Sequence, residues 1–299
     1  MKIWLLTDKR NKKAYGNVRI LEEAKNKGLK MKMVMVEDIE LLIDNQLEDK
    51  IYINNKLVKL PNVVIPRVCV SYQMKSVTDF LEHRWVYMIN DTASRFLAKD
   101  KFFSLQKLAL NSLPIPKTIL LKGLPNIWFI EEKLSYPIIL KKIDGAQWKW
   151  ILKINNRHDL EDVIEMLDES LNTLNKNIIL QEYIGEKIGQ DLRVFIVWWR
   201  VIAAMLRKGK DGDFKSNYSG GWNVFFHEVS SQEEIIALEA ANIIGLDIAG
   251  IDILFDKNDG YKICEVNASP GFEWLEKASN VNIAWEIVDY IIQRFNISI

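Results

Sequence analysis

Two short apolar runs in the last fifth of the sequence carry three oxygen-bearing side chains, Asp252, Glu265 and Asn267, in a pattern that could bind a cation. Asp252 lies in an apolar, β-rich run over 247–255, and Glu265 and Asn267 lie in a second such run, 261–267. The linker between them, Asp256-Lys257-Asn258-Asp259-Gly260, is polar and ends on glycine, the pattern of a hairpin turn. Side chains alternate across a strand, so Glu265 and Asn267 are expected on one face and Cys264 and Val266 on the other. A carboxylate inside an apolar run is costly to bury unless it has a partner. Asp, Glu and Asn oxygens on one face suit a hard divalent cation such as Mg²⁺, which keeps waters or phosphates in its shell. Two salt-bridged edge carboxylates would use the same residues and form the alternative.

The elements that must position this hairpin follow from the rest of the chain. Residues 1–7 read as a buried strand, 18–28 as an amphipathic helix ending on glycine, and 31–36 as a second strand. That rhythm predicts a small parallel sheet covered by helices. No glycine-rich fingerprint follows the first strand, which argues against a dinucleotide site. Residues 51–53 and 57–60 flank Asn54-Asn55-Lys56 as a hairpin, and 63–67 forms a strand ending in Pro66-Arg67. Arg67, at a strand exit, could hold a substrate carboxylate or be an ordinary surface arginine. A helix over 79–97 is expected to close the first domain, followed by a helix over 101–110 and a stiff connector, Leu113-Pro114-Ile115-Pro116.

Strands are expected over 117–121, 138–142, 177–183, 191–197 and 200–207, with helices over 160–167, 232–244 and 283–295. Lys141 and Lys142 end a nearly all-apolar strand before Asp144-Gly145-Ala146. A lysine leaving a buried strand can reach a nucleotide phosphate, although a solvated strand end explains it too. Arg207 likewise leaves an apolar strand towards a charged loop.

Composition bounds the function. The 299 residues carry 40 basic and 40 acidic side chains, so no global field favours nucleic acid or an anionic membrane. Cys69 and Cys264 make no metal-ligand pattern, which points to a reduced, cytoplasmic compartment. The apolar run over 3–6 is too short for a signal peptide or a membrane span. There is no Gly-x-Ser-x-Gly and no Cys/His pair, and His83, His158 and His227 are the only imidazoles, so covalent catalysis is not expected.

The run Glu265-Val266-Asn267-Ala268-Ser269-Pro270-Gly271, followed by Glu276-Lys277, resembles the C-terminal signature of RimK-like ATP-grasp carboxylate–amine ligases. Val64-Ile65-Pro66-Arg67, Lys99-Asp100-Lys101, Gln181-Glu182-Tyr183-Ile184, Asp191-Leu192-Arg193 and Gly212-Asp213-Phe214-Lys215-Ser216-Asn217 agree with it, in the family's order. The resemblance implies an α/β (α+β) ATP-grasp fold behind a pre-ATP-grasp α/β domain. Its expected parts are an N-terminal domain over 1–97, a lid subdomain over 98–185 and a C-terminal subdomain with the metal site over 186–299. It further implies ATP, with Lys101 and Lys141 on the phosphates and Gln181, Glu182, Tyr183 and Ile184 along the adenine. Asp191 is preferred to Glu186 on the ribose, with an Asp191–Arg193 ion pair as the alternative. Asp252, Glu265 and Asn267 are implied to hold Mg²⁺, with Mn²⁺ as a substitute. Arg207, Lys215 and Asn217 would lie near the transferred phosphoryl group.

The function so implied is amide formation from a carboxylate and an amine through an acyl phosphate, adding an amino acid such as glutamate to a small molecule, peptide or carrier. A maturase of ribosomal peptides or specialised metabolites is the rival within the enzyme class. The family's glycine-rich loop is replaced here by Gly145-Ala146-Gln147-Trp148-Lys149-Trp150, so a nucleotide-binding module without turnover is the rival outside it. Trp148, Trp150, Trp222 and Trp274 fall in loops that the resemblance puts around the site, and either wall an acceptor pocket or pack their own loops. Family members are commonly dimers or tetramers.

Overall fold

The computed structural model describes residues 1–44, 50–67, 71–121, 125–143, 151–171, 177–209, 223–258 and 260–297, with backbone alone for 167–171. The chain begins β1 (Ile3–Thr7), α1 (Tyr15–Asn26), β2 (Met31–Met35), then a small antiparallel sheet of β3 (Ile39–Leu41), β4 (Ile51–Ile53) and β5 (Lys56–Leu57). After β6 (Val63–Pro66), α2 (Tyr72–Glu82) and β7 (Tyr87–Met88), the first main sheet is complete and parallel, in the order β2-β1-β6-β7. Every residue of β1 and β6 is buried, which is why both read as unbroken apolar runs rather than alternating ones.

The single helix expected over 79–97 is two helices with a strand between them. α2 ends at Glu82, Trp85 takes φ 62°, and Tyr87–Met88 pairs with Val63 and Val64 before α3 (Thr92–Lys99) starts. Asp91 caps α3 by accepting from Ser94 N–H, a start signal lying in the middle of the expected helix. Asp100 ends α3 and caps α4 (Lys101–Leu110), accepting from the N–H groups of Phe102 and Phe103. That shared corner sets Lys101 at the first turn of α4.

β8 (Thr118–Leu121), α5 (Ile127–Lys133), β9 (Ile138–Lys142), β10 (Ile151–Ile154), α6 (Arg157–Leu171) and β11 (Ile178–Glu182) follow, with an antiparallel sheet in the order β10-β9-β11-β8. The last sheet has five antiparallel strands, β14-β13-β12-β15-β16, built from β12 (Gln190–Val197), β13 (Arg200–Lys208), β14 (Asn223–His227), β15 (Ile248–Phe255) and β16 (Tyr261–Asn267). The expected hairpin joins β15 to β16, with Asp256 N–H donating to the Gly260 carbonyl at 2.7 Å. α7 (Ser231–Ile244) lies between β14 and β15, and α8 (Glu273–Ser279) and α9 (Ile283–Arg294) end the fold.

Two apolar layers sandwich the five-stranded sheet. Leu192, Val194, Ile196, Ile251, Ile253 and Val266 pack with Ile236, Ala240 and Ile244 of α7. On the opposite face, Phe195 and Val197 share a core with Ile3 and Leu5 of β1, Ile20 of α1, Phe272 at the start of α8, and Ile287 of α9. The first sheet and the last are therefore packed on common ground. Asn90 fastens the same junction: it donates to the carbonyls of Ile248 (2.7 Å) and Ala268 (2.9 Å) and accepts from Ile248 N–H (2.8 Å).

Candidate active site

Strand pairing lines up charges across one face of the last sheet. Arg207 of β13 lies opposite Asp191 of β12, Arg193 opposite Asp252 of β15, and Asp252 opposite Glu265 of β16. Directly opposed side chains on one face are the closest neighbours a sheet offers, and here most of these pairs bond. Arg207 Nε and Nη2 donate to Asp191 at 2.5 and 2.7 Å, and Nη2 also reaches Asp252 Oδ2 at 2.9 Å. Arg193 grips Asp252 with two bonds of 2.7 Å. Asp191 is thus paired with Arg207, not with Arg193, because the register sends each arginine sideways to the neighbouring strand.

The centre of the row is dry: Arg207 is 0% exposed and Asp191 and Asp252 are each 2% exposed. Burial by itself would raise the Asp252 pKa, but Arg193 and then Arg207 outweigh it and hold the carboxyl at about 2. Burial likewise works against the Arg207 charge, and Asp191 and Asp252 keep its pKa above the ordinary value.

Glu265 ends the row and is less enclosed. Lys101 Nζ, from the first turn of α4, lies 3.4 Å from its Oε1. Asn267 Oδ1 accepts from Ser269 N–H at 2.8 Å, which shapes the loop leaving β16. Gly250 pairs with Asn267, and a Cβ on it would sit 2.8 Å from Pro270 Cβ, so the loop lies directly against β15. Glu265 and Asn267 share a face as expected, but Cys264 does not follow Val266. The register shifts between Asp252 and Ile253, leaving Cys264 as the extra residue of a bulge. Val266 and Ile263 join the core under α7, whereas the Cys264 thiol meets Lys141 Nζ at 3.4 Å. Burial pushes that thiol's pKa up.

Lys141 enters from β9, in another sheet, and is buried. Among the described residues its ammonium has one polar contact, that thiol, and no carboxylate pairs with it. A buried cation without a counter-anion is poised to take one.

The residues expected along a nucleotide sit on and after β11. Gln181 is buried and donates to Thr118 Oγ1 at 2.9 Å, and Glu182 Oε1 accepts from Lys117 N–H at 2.9 Å. Both side chains thus tie β11 to β8. Tyr183 lies under Lys153 Nζ, 4.4 Å from the ring centre, with its hydroxyl buried and without a hydrogen-bond partner among the described residues. Burial raises its pKa. Ile184 follows, half-buried. Lys215, Asn217, Cys69, the 145–150 loop, Trp148, Trp150 and Trp222 lie outside the described residues. Trp274, on α8, is 51% exposed, with Lys277 Nζ 4.5 Å from its ring centre.

Sequence reasoning missed Arg193 as the partner of Asp252, and Asn90, Thr118 and Lys117 as supports. Strand register would reveal Arg193, Thr118 and Lys117, and only the packing of the first sheet on the last reveals Asn90.

Among the described residues no group of three His, Cys, Asp or Glu side chains is arranged to hold a metal. The candidate donors are two carboxylates and an amide, all oxygen, which fits a hard cation in chemistry. Both Asp252 oxygens are already engaged by arginine, so Glu265 is the more available ligand.

Comparison with known proteins agrees with the fold. The RimK-like ATP-grasp domain family matches residues 98–291, and the RimK PreATP-grasp domain matches residues 1–94. A probable alpha-L-glutamate ligase of Pseudoalteromonas translucida (strain TAC 125) is 32% identical over 294 residues, covering 97% of this chain and 95% of that protein. Another, of Legionella pneumophila (strain Paris), is 32% identical over 236 residues, covering 78% of this chain and 76% of that one. Among solved structures, the ATP-grasp ligase PsnB complexed with minimal precursor has the same fold, with TM-score 0.76 and 18% identity over 98% of each chain. The chain belongs to the RimK-like ATP-grasp family and is a ligase that forms carbon–nitrogen bonds.

Proposed function

We propose that this ligase uses ATP to phosphorylate a substrate carboxylate and then joins it to the amine of an amino acid. A carboxylate oxygen attacks the γ-phosphorus and ADP leaves. The amine nitrogen then attacks the acyl carbon, phosphate leaves with that oxygen, and the nitrogen loses a proton to solvent. The observation that supports this best is Lys141: a buried cation with no carboxylate partner among the described residues, in the same site as Lys101 and Glu265. An incoming phosphate would supply the missing anion.

In this reading Lys101 and Lys141 meet the phosphates, Gln181 to Ile184 flank the adenine, and Asp191 lies on the ribose side. Arg207, Lys215 and Asn217 would act on the transferred phosphoryl group. Asp252, Glu265 and Asn267 would hold Mg²⁺, whose chemistry is to neutralise phosphate charge. The row of paired charges fixes Asp252 and presents Glu265. Positioning and electrostatics then supply the catalysis, with no covalent enzyme intermediate.

The names of the relatives make glutamate the first amine to test. PsnB, solved with a precursor, makes a peptide the first macromolecular acceptor to test. The experiment is to incubate the protein with ATP, Mg²⁺, glutamate and a panel of carboxylates and peptides. ADP formation that needs both substrates is the expected result. AMP in place of ADP would point to an acyl adenylate and overturn the reading.

A further inference from the structure

The first sheet changes direction between β1 and β6. The chain runs from β1 through α1 to β2 on one side and returns to β6 on the other. Open parallel sheets hold ligands outside the carboxyl ends of the two strands that flank such a point. Here those ends carry Thr7 and Arg67. Thr7 Oγ1 donates to the Arg67 carbonyl at 3.2 Å, and Asn17 Nδ2 donates to Thr7 Oγ1 at 3.0 Å. The Arg67 guanidinium donates through Nε to Asn17 Oδ1 (3.4 Å) and through Nη2 to the Pro270 carbonyl (3.1 Å), and lies 5.7 Å from the Phe272 ring centre.

These anchors are neutral. Arg19, Arg193 and Arg207 each pair with carboxylates, whereas among the described residues no carboxylate accepts from Arg67, and no acceptor is found for its Nη1. Burial pushes its pKa down to about 10, the effect of a charge without compensation. The position is half-buried, and its two anchoring side chains, Asn17 and Thr7, are buried. A rigidly held, uncompensated guanidinium is a fork for a carboxylate. Pro270 belongs to the loop that starts at Asn267, so the same loop connects Arg67 to the Glu265 face.

We propose that Arg67 binds a substrate carboxylate that stays unreacted, clamping the far end of the substrate whose other end reacts. This rests on the ligase reading above, and it assigns the first domain a part in choosing substrates. The carboxylate belongs either to the amino acid that supplies the amine or to a second acid group on the activated substrate.

The test is calorimetric, with the full chain saturated with ADP and Mg²⁺. One arm titrates L-amino acids against their decarboxylated amines, and the other titrates dicarboxylic acids against their monoacid analogues. In at least one arm the acid should bind about ten- to hundredfold tighter than its analogue, the worth of one charged hydrogen-bonded pair. Arg67→Met should erase that preference. Should Arg67→Met fail to fold, Arg67→Lys decides, because an ammonium lacks the fork and should weaken acid binding about tenfold while leaving the analogue unchanged. A preference in the first arm assigns the amine substrate, and one in the second assigns the activated acid. Absence of any preference in the wild type, or a preference that survives the substitutions, overturns the proposal. ADP binding and ATP-dependent trapping by hydroxylamine, which has no carboxylate, report on the ligase reading separately.

Discussion

Asp252 and Glu265 face each other across two strands, yet their surroundings assign them different work. Asp252 is buried between two arginines, and removing its charge would take from Arg193 the carboxylate that grips it and from the buried Arg207 one of its carboxylate partners. Asp252→Asn should therefore cost about 3–5 kcal/mol, read by urea denaturation. Its folded pKa of about 2 lies below the ordinary 3.8, so the stability it lends is fully present above 3.8 and is lost as pH falls towards 2. The substitution should flatten that acid limb and leave the profile unchanged in shape near neutrality. Among the described residues Glu265 pairs only with Lys101, at 3.4 Å and partly exposed, so Glu265→Ala should change stability by no more than about 1 kcal/mol. Its turnover should nonetheless fall at least about a hundredfold, as expected for one electrostatic group at a reacting centre. A stability loss for Glu265→Ala as large as that for Asp252→Asn would contradict this division.

At the scale of elements, the hairpin of β15 and β16 was legible because its turn chemistry and apolar runs are local. So were α4, β9 and the βαβ opening, each announced by an unbroken pattern. Helix 79–97 misled because α2 and α3 are both amphipathic, and only the short pairing of Tyr87–Met88 with β6 separates them. The bulge at Cys264 was invisible for a similar reason: alternation holds only while two strands stay in register, and the register is a property of the pair. The two apolar runs single out Asp252, Glu265 and Asn267 as candidates, but nothing local gives the arginines that Asp191 and Asp252 take. Gly250 shows how tightly the loop is seated. Gly250→Ala would push a methyl to 2.8 Å from Pro270 Cβ, and neither atom can swing aside. The substitution should cost about 1–3 kcal/mol, and displacement of the Asn267 loop should lower turnover as well. Wild-type stability in Gly250→Ala would mean that the loop is free to lift off the sheet.

Across the whole molecule, the first sheet and the last share one core and one buried clip. Asn90 satisfies both backbone groups of Ile248 and the carbonyl of Ala268, so it joins the entry of β15 to the loop beyond β16. Asn90→Ala leaves these buried groups unpaired and should destabilise the fold by at least about 2 kcal/mol. Denaturation of the variant by chemical titration measures it, and a change within about 0.5 kcal/mol, as at an ordinary surface site, would contradict the clip. The same architecture brings Lys101 from α4, Lys141 from β9 and Glu265 from β16 to one place, three elements far apart in sequence. In the proposed reaction this convergence activates a carboxylate with ATP. That step is tested most directly by incubating the protein with ATP, Mg²⁺, hydroxylamine and a small-metabolite extract, and measuring hydroxamates by mass spectrometry. An ATP-dependent hydroxamate is expected, its yield falling at least about a hundredfold in Glu265→Ala; a hydroxamate formed equally well by that variant, or without ATP, would overturn the proposed function.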